Sequence, residues 1–280
     1  MTHNLSSKCW SFRDVVTAAP LLKLDKLLQS KIPQINNRAA GKILLGDHFL
    51  YFNPASVSLS PDGYFSQITP QNLLNDDISF RRRLWAFGSL KSYEPLAWNR
   101  QYECFETIQY VKKIRGDYFV KMLRTISNVD TQNLVLTEER ALIYTNSKPQ
   151  LPKLNGTQPP NLNHQRCTFT FRDLDVVRYS ALTFNPHRIH WDRDYCLNQE
   201  GYKNLIVQGP LLLQTLLRVL QLQMRFEICS VKYKNSNYVY VDQEVAVMVG
   251  EPDAQGQCGA ILCDAQNPSV HFLNATILLR

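Results

Sequence analysis

The stretch "GPLLLQTLLRVLQLQ", residues 209–223, constrains the fold more than any other part of the chain. Leu211, Leu212, Leu213, Leu216, Leu217, Val219 and Leu220 place apolar side chains on nearly every side of a helix, and such a helix has to be enclosed by other structure. Proline at 210 suits a first helical position, and at 1.5 Å per residue the element spans roughly 25 Å. Two arginines and three glutamines in its extension to Phe226 argue against a membrane span, as does its length, short of the roughly 20 apolar residues a bilayer needs.

The chain beyond this helix is strand-like. "VKYKNSNYVYVDQEVAVMVG", "CGAILCD" and "SVHFLNATILL" are joined by turn residues. Before the helix come the short strand "CTFTF" and "RDLDVVRYSALTF", which carries helical spacing with acids at its start. One buried helix with a run of antiparallel strands predicts a sheet wrapped around a helix, the hot-dog layout of the α+β class. The first half repeats the strand signal. "CFETIQYVKKI" and "YFVKMLRTIS" flank Arg115-Gly116-Asp117, whose character is that of a hairpin turn, and "NLVLTEERALIYT" is a third strand. Residues 146–164 hold four prolines and four asparagines and read as a linker. The chain therefore divides into residues 1–30, an N-terminal half over 31–145, the linker, and a C-terminal half over 165–280. "LIVQ" before Gly209 reads as a further short strand.

Composition bounds the function. A hydrophobic share of 44% is that of a globular protein, and no apolar run is long enough to cross a bilayer. The net charge of +7 is thinly spread, with one cluster at Arg81-Arg82-Arg83 and no basic stripe interleaved with aromatics. No nucleic-acid partner is implied; the cluster reads as a solvated face or a landing site for an acidic partner. Seven scattered cysteines without CxxC spacing predict reduced thiols. Residues 1–30 carry Lys8, Arg13, Lys23 and Lys26 and no acid before Asp14, compatible with a mitochondrial targeting segment.

The chemistry concentrates in "RYSALTFNPHRIHWD", residues 178–192. A metal site using His187, His190 and Cys258 or Cys263 lacks the paired spacing such sites show. A nucleophilic Cys196 beside His190 needs a third orienting group. General acid–base catalysis fits better: an imidazole moves a proton, the Asn185 amide holds a water or a carbonyl oxygen, and Pro186 stiffens the chain between them. Backbone N–H groups at Gly209 and Leu211, at the start of the buried helix, suit a developing oxyanion. A structural histidine pair capping a helix accounts equally well for the spacing alone.

Tyr179 with "SALTFNPHRIHWD", and "LIVQGPLLLQTLL", resemble the MaoC-type (type 2) hydratase family. "LLGDHFLYF", "DG", "RRRLWAFGSL", "TIQYVKKIRGDYFVKM" and "LTEERALIYT" are similar to the N-terminal half of its double-hot-dog members, which include fungal mitochondrial 3-hydroxyacyl-thioester dehydratases and mesaconyl-C4-CoA hydratase-like proteins. The resemblance implies two hot-dog halves, each a sheet around a long helix, the N-terminal one degenerate. It implies (R)-specific dehydration of 3-hydroxyacyl thioesters in mitochondrial type II fatty-acid synthesis, in the matrix, on acyl carrier protein or CoA. It calls for no cofactor and no metal, and allows a monomer or a homodimer. The catalytic histidine falls on His190. The family's aspartate falls on Asn185 or, in another alignment, on Thr183, so neither position is acidic. His187 becomes a second polar group, Asp192 a support for His190, and Gly209 the thioester-oxygen site. A CoA-linked mesaconyl-type hydratase, which would favour extra cations such as Arg188 near the pocket, and a non-catalytic thioester-binding module are the alternatives.

Overall fold

A computed structural model describes residues 5, 8–33, 42–154 and 164–280. Ten strands form one sheet in the order β1-β3-β4-β5-β2-β7-β10-β9-β8-β6. They are β1 Cys9–Val15, β2 Arg82–Ser92, β3 Gln101–Ile114, β4 Asp117–Asn128, β5 Leu134–Thr145, β6 His164–Thr170, β7 Ile228–Asn235, β8 Glu244–Val249, β9 Gln257–Asp264 and β10 His271–Leu279. Read outward from the centre, β2-β5-β4-β3-β1 in one half repeats β7-β10-β9-β8-β6 in the other. The halves meet where β2 pairs antiparallel with β7, from Phe87↔Lys234 to Lys91↔Ser230. This is a double hot dog with a pseudo-twofold at its central seam. The hairpin at Arg115-Gly116 is as the sequence implies: both residues have positive φ, 52° and 92°, and Ile114 pairs with Asp117.

The helices are α1 Ala18–Leu28, α2 Pro70–Leu74, α3 Asp173–Leu182, α4 Arg193–Tyr195 and α5 Gly209–Arg218, which runs on into a π-helical turn over Val219–Gln223. The C-terminal sheet wraps α5, whose Leu211, Leu213, Leu216 and Leu217 are fully buried. Each such side chain contributes about 1.5–3 kcal/mol relative to exposure. Buried polar side chains on the same helix find partners. Gln214 Oε1 accepts from the Tyr179 hydroxyl at 3.0 Å, and Arg218 bonds Asp25 and Asp47.

The N-terminal half departs from the expectation of a long enclosed helix. α1 packs against α3 as its pseudo-symmetric mate, but between α1 and β2 the described residues form only two 3-10 turns, Asp47–Leu50 and Ser66–Ile68, and the five-residue α2. The first turn is bounded by Gly46, with φ of 101°, and by the extended backbone of Tyr51, followed by Phe52 with φ of 57°. That half is instead filled by a buried charge network. Arg124 meets Glu106 at 3.2 Å and Glu138 at 3.0 Å, and Glu138 also meets Arg140 at 2.7 Å and His48 at 3.4 Å.

Four further expectations are corrected. Residues 9–28, read as part of a leader, are body of the fold: β1 pairs with β3 from Cys9↔Thr107 to Val15↔Gln101, and Leu21, Leu24, Leu27 and Leu28 of α1 are buried. "LIVQ" forms one isolated bridge, Ile206↔Tyr240, because the helix start draws the chain away from the sheet. The linker is partly tethered: the Gln150 amide donates to the Tyr238 hydroxyl and the Lys153 amide to Asn237 Oδ1, while residues 155–163 lie outside the described residues. Arg82 and Arg83, read as a solvated face, are 2% and 4% exposed: Arg82 is held by the Glu200 carbonyl and Arg83 by the Phe65 carbonyl and Ser60 Oγ.

Candidate active site

A cavity of about 470 Å³ opens where the two halves meet. Its walls include Arg82, Arg83 and Trp85 from β2, Asn185, His187 and His190 from the segment after α3, and Gly209 and Pro210 from the start of α5.

The histidine segment is shaped by how α3 ends. Thr183 closes that helix, its Oγ1 donating to the Tyr179 carbonyl at 2.8 Å. Phe184 then turns the chain with φ of 49°, in the left-handed region. The Asn185 N–H donates to the Ser180 carbonyl, and Asn185 Oδ1 accepts the His187 N–H at 3.1 Å. That bond fixes the orientation of the amide, and Asn185, whose Nδ2 is its donor end, lines the cavity. Arg188–His190 completes a 3-10 turn.

His190 is 6% exposed. Its Nδ1 donates to the Ile206 carbonyl at 2.7 Å, which leaves Nε2 as the lone-pair nitrogen of a ring lining the cavity. Burial lowers its pKa from 6.5 to about 4, partly opposed by that carbonyl. His187 is equally buried, and burial, then His190 and Arg83, hold it well below the usual imidazole value. The two rings stand edge to face, 5.4 Å apart. Both are neutral near pH 7.

α5 begins against the same wall. Gln208, just before it, is fully buried and donates to the Val176 carbonyl and to Ser180 Oγ, fixing the helix start on α3. A Cβ on Gly209 would come within 2.4 Å of Trp85 Cε3 and 3.3 Å of Asn235 Nδ2, so only glycine fits. The helix N-terminus carries a partial positive charge toward the cavity.

The structure thus brings His190, Asn185, His187 and Gly209 to one wall. It does not bring three other sequence candidates there. Leu211 is fully buried and outside the lining, so of the two predicted helix-start donors Gly209 is the one in contact with the cavity. Thr183 is spent on the end of α3. Asp192 does not support His190: its Oδ1 caps the Tyr195 N–H at 2.9 Å and its Oδ2 pairs with Arg188 at 2.7 Å, while Ile206 holds the imidazole. Arg188 is drawn outward by that pair and by the Tyr195 ring at 4.3 Å. Cys196 donates to the Ile189 carbonyl, and burial pushes its thiol up to about 12, so it is no nucleophile at neutral pH.

Sequence reasoning missed the contribution of the N-terminal half. Asp62, 3% exposed, accepts the Arg188 N–H on its carbonyl at 2.9 Å, and its Oδ2 lies 3.2 Å from Arg83 Nε and 3.7 Å from His187 Nε2. Gly63 comes next with φ of 80°, and a Cβ there would meet the Pro186 carbonyl at 2.7 Å. The 60–64 turn therefore lies directly on the histidine turn. Glu200 is buried nearby, its carboxyl pushed up to about 8 by burial and by Asp62. The only signal for any of this was an unremarkable "PDG" turn.

A family model described as hydroxyacyl-thioester dehydratase type 2 matches residues 46–241. A curated relative from Saccharomyces cerevisiae, named hydroxyacyl-thioester dehydratase type 2, mitochondrial, is 34% identical over 98% of this chain and 99% of its own. The chain belongs to the hydroxyacyl-thioester dehydratase type 2 family. Such enzymes are hydro-lyases. A more distant relative of this family member, mesaconyl-C(4)-CoA hydratase from Chloroflexus aurantiacus, is 28% identical over 59% of each chain. The dehydratase fold itself recurs in HtdX of Mycobacterium tuberculosis, with a TM-score of 0.71 at 13% identity over 97% of this chain and 100% of that one.

Proposed function

We infer that the protein interconverts (R)-3-hydroxyacyl and trans-2-enoyl thioesters, with His190 moving the proton. The observation that carries this reading is the fixed tautomer of His190, with its lone-pair nitrogen on a cavity that also meets the start of α5. In the addition direction a water oxygen attacks carbon 3 of the enoyl chain while Nε2 takes one of its protons. The displaced electron pair moves onto the thioester oxygen, which the Gly209 N–H and the helix dipole stabilise. The imidazolium then delivers its proton to carbon 2, restoring the neutral ring. Dehydration is the reverse. The Asn185 amide N–H donates to the oxygen at carbon 3 or at the thioester.

The mitochondrial name of the yeast relative supports a place in mitochondrial type II fatty-acid synthesis, with acyl carrier protein as the carrier. Exposed Lys148, Lys153 and Lys234 line the cavity and suit a phosphopantetheine arm on an acidic carrier. The test is hydration of a crotonyl thioester, on acyl carrier protein and on CoA, by wild type, His190→Ala and Asn185→Ala. His190→Ala should lose about a hundredfold or more. A silent, folded wild type on both carriers would favour a thioester-binding module.

A CoA-linked hydratase of short dicarboxylic thioesters is a second reading, favoured by Arg82. Its Nη1 donates to the Glu200 carbonyl at 2.6 Å, its Nη2 is buried without a hydrogen bond, and among the described residues it forms no ion pair. A cation so placed on the cavity wall suits a substrate carboxylate. Faster turnover of mesaconyl than crotonyl thioester, reversed in Arg82→Met, would select this reading.

A further inference from the structure

We propose that His187 is a second catalytic residue of the dehydratase site, accepting one hydrogen of the reacting water, and that Asp62 of the N-terminal half is the positioning residue that sets its tautomer. The inference rests on the reading of His190 above and extends it to a pair.

The geometry begins with two orphans. Asp62 Oδ2 and His187 Nε2 are both buried and both lack a hydrogen bond, yet they face one another at 3.7 Å. One is an acceptor, and the other becomes a donor as soon as the ring carries its proton there. An approach of about half an ångström makes the bond. A buried ring nitrogen is costly to leave without a partner, and Asp62 Oδ2 is the acceptor it faces, so this arrangement favours the Nε2–H form of His187. Asp62 is held for the purpose: Arg83 Nε sits 3.2 Å from the same oxygen, Oδ1 accepts the Tyr64 N–H at 3.1 Å, and its carbonyl is pinned to the Arg188 N–H. Arg83 is in turn fixed by the Phe65 carbonyl and Ser60 Oγ, and it lies 4.7 Å from the Tyr64 ring centroid.

With Nε2 protonated toward Asp62, the lone pair of His187 is on Nδ1, in a ring that also lines the cavity. His190 is the mirror case, protonated on Nδ1 toward Ile206 with its lone pair on Nε2. Two neutral imidazoles in opposite tautomers thus present two acceptors. A water has two hydrogens to give. Held by both, it donates twice and keeps its oxygen lone pairs free for carbon 3, the state a nucleophilic water requires. His190 then takes the proton that moves, and His187 keeps the other hydrogen bonded through the step. In the reverse direction His187 accepts from the substrate hydroxyl while the His190 imidazolium protonates its oxygen. The depressed basicity of both rings favours this neutral pair over an imidazolium at rest.

Two measurements test the proposal. Steady-state hydration of the crotonyl thioester should fall about a hundredfold in kcat for His187→Leu, with KM within about threefold. His187→Asn restores an acceptor and should recover at least about tenfold of that loss, which a purely structural role would not do. Asp62→Asn should lower kcat about tenfold or more with little change in KM. Independently of any variant, nitrogen-15 histidine spectra of the wild-type protein should show His190 as the Nδ1–H tautomer and His187 as Nε2–H. An Nδ1–H His187 overturns the proposal, and it decides the matter if His187→Leu does not fold. Folded His187→Leu with kcat near wild type overturns it as well, provided His190→Ala is inactive. Full activity in His190→Ala would instead bring down the reading on which the proposal rests.

Discussion

Replacing His190 by glutamine removes an imidazole that folding holds neutral. In the folded chain burial brings its pKa from 6.5 to about 4, whereas the unfolded chain titrates near 6.5. Between those values the unfolded state binds a proton that the folded state refuses. Stability therefore falls as pH drops below about 6.5, and the loss is complete below about 4. At 1.36 kcal/mol per pH unit the whole span is worth about 3 kcal/mol, of which about 2 kcal/mol has gone by pH 5. Glutamine does not titrate, so the variant lacks this share of the acid sensitivity. His187 and His48 are also lowered, mainly by burial, and that burial is common to both proteins and cancels in the difference; only the smaller contribution of His190 to His187 is lost with the ring. The assay is urea unfolding of both proteins near pH 7.5 and near pH 5. Wild type should lose about 2 kcal/mol more than His190→Gln over that interval. The same depressed pKa places the acid limb of kcat/KM near 4. Equal losses in the two proteins, or an acid limb between 6 and 7, would mean that the ring faces water, and the fixed tautomer would fall with it.

The geometry sets three other outcomes. Helix propensity alone favours Gly209→Ala, yet the new Cβ would sit 2.4 Å from Trp85 Cε3, so chemical denaturation should show a loss of about 1–3 kcal/mol and hydration assays a loss of activity. Arg124→Leu strands Glu106 and Glu138 in the interior, and urea unfolding should register about 3–5 kcal/mol; a loss under 1 kcal/mol would mean that those carboxylates reach water or other partners. Asp192→Asn weakens the cap on Tyr195 and the Arg188 pair, and should cost about 1 kcal/mol of stability while leaving kcat within about twofold, because Ile206 and not Asp192 orients His190.

The C-terminal half was legible because its signals are local and redundant. A helix apolar on all sides has few homes, and the strands after it alternate clearly. The Arg-Gly turn likewise announces itself by residues that tolerate positive φ. The rest depended on pairings between distant parts of the chain. Residues 9–15 lie within the 1–30 segment that is compatible with a targeting leader, and nothing local says that β3, some ninety residues on, provides an edge for them to pair with. Arg82 and Arg83 look like surface charge until the Glu200 segment closes on the first and the 60–66 turn on the second. Asp62 sits in a Pro-Asp-Gly turn of the kind found on any surface, and nothing local says that the turn ends against Pro186. For the same reason Asp192 looked like the natural support for His190: it is near in sequence, while the true partner, the Ile206 carbonyl, is sixteen residues away and chemically anonymous.

The missing carboxylate at 185 then takes on a physical meaning. A carboxylate beside His190 would favour imidazolium and raise its pKa, and a protonated ring cannot accept a hydrogen from water. The Asn185 amide carries no charge, and its oxygen is engaged by the His187 backbone. Burial therefore acts on both rings without opposition from a neighbouring anion on their own segment. The nearest carboxylate, Asp62, is balanced by Arg83 before it reaches His187, so it orients the ring without forcing a proton onto it. That division of labour needs both halves of the chain: one supplies the imidazoles and the helix start, the other a neutralised acid. It gives the N-terminal half, which has no helix as long as α5 between α1 and β2 among the described residues, a chemical reason to remain in contact with the site.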